Sequence, residues 1–121
     1  MAKIFIAEDS ATDLKFIESI LSDKGHQISI AMDGEEAEKI IKSQQFDVII
    51  LDVVMPKKNG YQICRWIKRD AKLKDTPVIM VTSKNQEADK LWGKQQGADI
   101  YLTKPYEPNE LLFAVNKFLS R

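Results

Sequence analysis

Cysteine and histidine are almost absent from this sequence of 121 residues, which contains one of each, Cys64 and His26. A single cysteine excludes an intrachain disulfide and is typical of proteins from a reducing compartment. Because a zinc site needs several cysteine or histidine ligands, that kind of site is excluded as well.

Long apolar runs are also missing. No stretch approaches the ~20 consecutive apolar residues of a transmembrane helix. The apolar start of the chain meets Glu8 and Asp9 too early for the hydrophobic region of a signal peptide. We therefore expect a cytoplasmic protein that does not bind a membrane.

The chain has no excess of charge of either sign. Its 18 Lys and Arg residues balance 18 Asp and Glu residues, so the formal net charge is zero. A neutral chain offers no electrostatic footprint for nucleic acid, and we expect no such partner. No repeat and no Pro-, Gly- or Ser-rich linker divides the sequence, which predicts one domain over residues 1–121.

What the sequence does contain is an alternation of short apolar runs with segments of helical periodicity. The apolar runs predict strands over 3–7, 26–31, 46–51, 77–81 and 100–102. Helices are predicted over about 12–24, from Gly34 or Glu35, over 61–71, and from Pro108. Five such units predict a doubly wound (βα)5 domain of the α/β class, with a parallel sheet covered by helices on both faces.

The fourth helix is predicted between two conspicuous signals. Residues 83–86, Ser-Lys-Asn-Gln, fit a capping box at its start, and Gly97 follows its end. Ala88, Leu91 and Trp92 fall on one helical face, so we predict that this face packs against the core.

Polar side chains follow four of the predicted strands. Ligands in open parallel sheets bind beyond the carboxyl ends of the strands, so these residues are candidates for one site. They are Glu8 and Asp9 after the first strand, Asp52 after the third, Thr82 and Ser83 after the fourth, and Lys104 after the fifth.

The carboxylates in this set predict a metal site. If the first and third strands are neighbours, ~4.8 Å apart, their terminal carboxylates repel one another unless a cation lies between them. Mg²⁺ fits this need because it prefers oxygen ligands. Taken alone, Asp9 fits a helix cap equally well, whereas Asp52 follows so apolar a run that it must be solvated, paired or bound to metal.

Residues 52–60, Asp-Val-Val-Met-Pro-Lys-Lys-Asn-Gly, together with the acidic pair, Thr82 and Lys104-Pro105, resemble the receiver domain of bacterial response regulators over the whole chain. Residues 81–98 and 101–105 resemble more narrowly the single-domain regulators of type IV pilus chemosensory systems.

The resemblance implies the flavodoxin-like three-layer α/β sandwich with parallel strand order 2-1-3-4-5, and it also implies a phosphoprotein. Asp52 would accept a phosphoryl group from a histidine kinase, and Mg²⁺ would be held by Glu8, Asp9, Asp52 and the backbone carbonyl of Val54. Lys104 would contact the phosphoryl group, and its bond to Pro105 would be cis. Such a transfer needs charge neutralisation and in-line positioning more than covalent chemistry from the protein.

The resemblance also implies a switch. The Thr82 hydroxyl would move toward the phosphoryl group, and Tyr101 would turn inward into the space it leaves. The surface altered by this change would be the fourth helix, the fifth strand and the fifth helix, where a downstream target protein would bind.

The predicted function is therefore that of a single-domain response regulator in pilus-based motility or chemotaxis. The chain ends just after its last helix, so we expect no effector domain and no enzymatic activity beyond self-phosphotransfer and autodephosphorylation. The sequence leaves open whether the protein docks on a target or drains phosphate from a shared kinase.

Two other classes of protein compete with this interpretation. An aspartyl phosphohydrolase with Mg²⁺ would use the same groups, but its acid/base Asp is replaced here by Val54. A flavodoxin-like cofactor binder would need a phosphate-binding loop after the first strand, where Glu8 and Asp9 would repel a phosphate.

Overall fold

Five strands alternate with five helices in the computed structural model, which describes residues 2–22 and 24–119. The elements are β1 (Lys3–Ala7), α1 (Ala11–Ser22), β2 (Gln27–Ala31), α2 (Gly34–Ser43), β3 (Val48–Leu51), α3 (Gly60–Arg69), β4 (Val78–Thr82), α4 (Glu87–Gln95), β5 (Ile100–Thr103) and α5 (Pro108–Leu119). All strand pairs are parallel, in the order β2-β1-β3-β4-β5. The predicted fold class and strand order are confirmed.

The three central strands, β1, β3 and β4, are buried on both faces because nearly all of their residues are apolar. Alternate residues of β1 illustrate this: Ile4 and Ile6 pack toward α1 and α5, whereas Phe5 and Ala7 pack toward α2 and α3. The predicted α1 stripe is buried as expected, and its members are Leu14, Ile17, Ile20 and Leu21. Two cores separated by one sheet produce the three-layer sandwich.

The predictions for α4 were wrong in two respects. The helix begins at Glu87, and the Asp89 carboxylate accepts a hydrogen bond from the Gln86 N–H (3.2 Å), so residues 83–86 precede the helix. Leu91 and Trp92 are exposed, because α4 turns Gly93 toward the sheet instead. A Cβ at Gly93 would lie 2.7 Å from the Tyr101 ring, so glycine allows this close approach.

Several predicted bounds shift by one to three residues. The most useful shift concerns Thr82, which is the last residue of β4 and is completely buried. Helix α1 ends before a left-handed turn at Gly25 (φ 77°), the predicted helix stop. Within residues 2–22 and 24–119, no helix combines the length and apolar character needed to cross a membrane.

Candidate functional site

The carboxyl ends of β1 and β3 bring the acidic residues together. The backbone N–H of Asp52 donates to the Ala7 carbonyl (2.9 Å), which extends the β1–β3 pairing to the edge of the sheet. Glu8 and Asp52 are buried, at 1% and 6% exposure, whereas Asp9 is exposed. The sequence prediction of one shared acidic pocket agrees with these positions.

This pocket has the donor set of a hard cation. One carboxylate oxygen from each of Glu8, Asp9 and Asp52 lies within 4.8 Å of the others. Three oxygen donors, two of them buried, match the preference of Mg²⁺ for carboxylates with water completing its shell. Val54 follows on the same loop, and its N–H donates to Asp52 Oδ1 (3.3 Å). The proposed role of the Val54 carbonyl as a further ligand stays a prediction.

Helix α3 fixes the loop that follows Asp52. The Gly60 N–H donates to the Val53 carbonyl (2.8 Å), and a Cβ at Gly60 would lie 2.2 Å from the carbonyl oxygen of Asp52. The Asn59 side chain caps the helix by accepting from the Gln62 N–H (2.9 Å). The start of α3 is therefore packed directly on the backbone of the site.

Lys104 enters the same pocket from β5. Its ammonium donates to Glu8 Oε1 (2.7 Å), Asp13 Oδ2 (2.7 Å) and Asp52 Oδ2 (3.1 Å). The side chain is mostly buried, at 17% exposure, and the bond to Pro105 is cis. The lysine thus supplies the single positive charge among these three carboxylates.

Burial and the crowding of charges shift the pKa values of two groups in the pocket. Burial raises the pKa of the Glu8 carboxyl to about 7, and the neighbouring Asp52 adds to the rise, although the hydrogen bond from Lys104 opposes it. Burial alone would lower the pKa of the Lys104 ammonium, but hydrogen bonds to Asp13 and Glu8 raise it above its ordinary value. The site therefore favours an additional cation near neutral pH.

The two predicted switch residues lie beside the pocket. The Thr82 hydroxyl accepts from the Lys84 N–H (3.3 Å), and the Tyr101 hydroxyl donates to the Lys84 carbonyl (2.9 Å). The Tyr101 ring packs against Gly93, on the side of α4 that faces the sheet. The loop residue Lys84 thus connects the two side chains through its backbone.

Sequence analysis missed two residues of this region. Asp13 reaches Lys104 from the first turn of α1, and the Tyr61 hydroxyl lies 3.4 Å from the Tyr101 hydroxyl while donating to the Asp89 carbonyl (3.0 Å). A signal existed for Asp13, because it lies in the first turn of the predicted first helix, close in sequence to the acidic pair. The aromatic Tyr61 carried no comparable signal.

The carboxyl edge of the sheet thus carries a buried aspartate directly after β3, an acidic pair after β1, a threonine at the end of β4 and a lysine directly after β5. The family model for the response regulator receiver domain matches residues 4–116. The chain belongs to this family.

Among individual relatives, the chain is 42% identical to Protein PilH of Pseudomonas aeruginosa over 120 residues, which cover 99% of each chain. The narrower resemblance to the pilus regulators is thereby confirmed. The chain also matches longer transcriptional regulators, of which it spans about half.

Solved structures agree with this assignment. A response regulator from Chloroflexus aurantiacus superposes with a TM-score of 0.94 at 32% identity and covers 99% of this chain and 98% of its own. The receiver domain of a sensor histidine kinase from Pseudomonas aeruginosa, with a magnesium ion coordinated in its active-site cleft, gives a TM-score of 0.91 at 26% identity over 99% of this chain and 98% of its own.

Proposed function

We propose that this protein is a cytoplasmic single-domain response regulator that accepts a phosphoryl group on Asp52 from the phosphohistidine of a kinase. The observation that carries the proposal is the place of Asp52, buried between carboxylates that can share a cation and the ammonium of Lys104. The similarity to PilH over 99% of both chains supports a receiver domain that works without an attached effector.

The geometry supports the following transfer. A carboxylate oxygen of Asp52 attacks phosphorus, the bond from phosphorus to the donor imidazole breaks, and the imidazole nitrogen keeps the electron pair. Bound by Glu8, Asp9 and Asp52, Mg²⁺ would neutralise the negative charge that builds up on the phosphoryl oxygens. Lys104 adds a positive charge on the side of Asp52 that its ammonium already contacts.

The direct test is phosphorylation by a small donor. After incubation with acetyl phosphate and Mg²⁺, we expect the intact mass of the protein to increase by one phosphoryl group. Without the metal, the rate at which the protein is labelled should fall by at least ~100-fold, since an unneutralised acidic pocket repels the donor. Equal labelling in the presence of EDTA would contradict the metal role, and no labelling under any condition would contradict the function.

An apolar groove beside the pocket supports docking of the kinase. It is lined by Phe16 and Tyr106, whose rings pack at 5.6 Å between centroids, and by Pro105 next to Lys104. Phe16 is 40% exposed on α1. Because the donor histidine must reach Asp52, the kinase must cover the surface next to the pocket, and this groove is an apolar surface there.

Phe16→Ala is expected to separate docking from chemistry. Removing an exposed interface aromatic should lower the rate of transfer from the cognate phosphorylated kinase by about tenfold, a cost of ~1.4 kcal/mol. The rate with acetyl phosphate should stay unchanged. Phe113→Ala removes an equally large exposed ring from α5 and serves as the matched control. If Phe16→Ala also slows acetyl phosphate, or if Phe113→Ala slows the kinase equally, the groove does not receive the kinase.

The predicted output surface carries the largest exposed apolar side chains of α4 and α5. Leu91 and Trp92 project from α4, and Phe113 on α5 is 75% exposed. Phe113 borders a groove of about 420 Å³ with Ile100 and Leu102 of β5. A surface of this kind supports binding of a downstream target, with pilus-based motility as the proposed setting.

Two outcomes remain for the phosphorylated protein, target docking and drainage of phosphate from a shared kinase. Exposed apolar side chains on the output surface favour docking, and we propose docking as the main role. No observation favours a phosphohydrolase, since exposed Val54 stands in place of its acid/base carboxylate.

A further inference from the structure

The ammonium of Lys104 has one partner more than the phosphoacceptor pocket requires. Its three N–H donors are all engaged, by Glu8, Asp13 and Asp52. Asp13 is bound as closely as Glu8, at 2.7 Å, and more closely than Asp52. The chemistry assigned to the site so far gives no role to Asp13.

Asp13 differs from the other two carboxylates in where it comes from. It lies in the first turn of α1, where its N–H donates to the Ser10 hydroxyl (3.3 Å). Among the described residues, the carboxylates placed to share a cation are Glu8, Asp9 and Asp52, without Asp13. Of the three partners of Lys104, Asp13 is therefore the one that would neither bind the metal nor accept the phosphoryl group.

We propose that Asp13 is a positioning residue that holds the Lys104 ammonium over Asp52 during phosphoryl transfer. This inference rests on the proposed function. Glu8 and Asp52 would turn toward a metal bound between them, and phosphorylation would make Asp52 a larger group with three acceptor oxygens. A lysine on a flexible four-carbon stem would lose its orientation in these steps unless a fixed carboxylate kept one of its donors.

The first measurement is the rate of phosphorylation by acetyl phosphate in saturating Mg²⁺. Asp13→Ala is expected to lower this rate about fivefold, the effect of losing one partly exposed charged hydrogen bond. Asp13→Glu should recover most of the rate. Glu18→Ala removes the same charge from the same helix without being a partner of Lys104, and it should leave the rate unchanged.

Two further readouts separate positioning from general damage. In a Lys104→Ala background, Asp13→Ala should have no additional effect on the rate. In wild-type protein, NMR should show the Lys104 ammonium with slow proton exchange, and Asp13→Ala should abolish that protected signal. The Mg²⁺ affinity of Asp13→Ala should fall much less than that of Asp9→Asn, because the Asp13 carboxylate is not a predicted ligand.

Three results would overturn the proposal. Faster phosphorylation of Asp13→Ala would mean that Asp13 competes with the phosphoryl group for Lys104. An equal effect of Asp13→Ala with and without Lys104 would mean that it acts elsewhere. An unchanged ammonium signal would mean that Asp13 does not hold the lysine. If wild-type protein takes up no phosphoryl group, the proposed function fails, and the ammonium signal still decides whether Asp13 holds Lys104.

Discussion

Asp52→Asn is expected to reduce phosphorylation by acetyl phosphate or by the cognate kinase to below ~1% of the wild-type level, because an amide oxygen is a far weaker nucleophile than a carboxylate. The substitution keeps the size and shape of the side chain. The hydrogen bonds to Asp52 from Lys104 and from the Val54 N–H can persist with an amide oxygen as acceptor. Loss of labelling in saturating Mg²⁺, measured by intact mass, would therefore report loss of the Asp52 carboxylate rather than a change in the local structure.

Asp75→Asn is the matched control for this experiment. Asp75 is exposed in the loop before β4, at the end of the sheet opposite to Asp52, and the same atoms change. We expect wild-type labelling from this variant. Full labelling of Asp52→Asn, with the phosphoryl group located on Asp9 or Asp13 by fragmentation, would show that the acceptor was wrongly assigned.

The positions of the main site residues were predictable because the topology determines them. Residues that directly follow parallel strands must meet at one edge of the sheet, and Glu8, Asp52 and Lys104 occupy such places. The close approach of Glu8 and Asp52 was predictable only on the assumption that β1 and β3 are neighbours in the sheet. The structure confirms that pairing through Ala7 and Leu51.

Helix-borne contacts to the site were much harder to predict. Asp13 reaches Lys104 across 91 positions of sequence, and whether a partly exposed first-turn carboxylate does so depends on the rotation of α1 over the sheet. The same difficulty explains the error on α4. Its apolar residues Leu91 and Trp92 indicate a buried face, but the sheet side is taken by Gly93, where the Tyr101 ring requires the space.

The contacts of Tyr101 link the site to the output surface. The Lys84 backbone accepts from Tyr101 and donates to Thr82, so a shift of the Thr82 hydroxyl must alter the loop that leads into α4. The proposed switch therefore has a physical connection of two hydrogen bonds. Tyr61 adds a second support for α4 by donating to the Asp89 carbonyl.

The protein without divalent metal is expected to be less stable at pH 8 than at pH 5, by roughly 2–3 kcal/mol in the free energy of unfolding. The cause is Glu8, whose pKa rises in the folded state from 4.5 to about 7. A carboxyl group with a raised pKa contributes its full stability below pH 4.5, where it is protonated in both states. That contribution is lost as pH rises through 7, because the folded protein must then bury the ionised form.

Urea unfolding in EDTA at pH 5 and pH 8 measures this difference. Glu8→Gln cannot titrate at this position, so the part of the pH dependence due to Glu8 should vanish in that variant, while Asp75→Asn should keep it. Because the proposed Mg²⁺ site requires the ionised pocket, Mg²⁺ should restore stability at pH 8 in wild type much more than in Glu8→Gln. Equal pH dependence in wild type and Glu8→Gln would show that Glu8 is already ionised at pH 5. In that case, the pocket would not need a metal to keep its acidic residues charged.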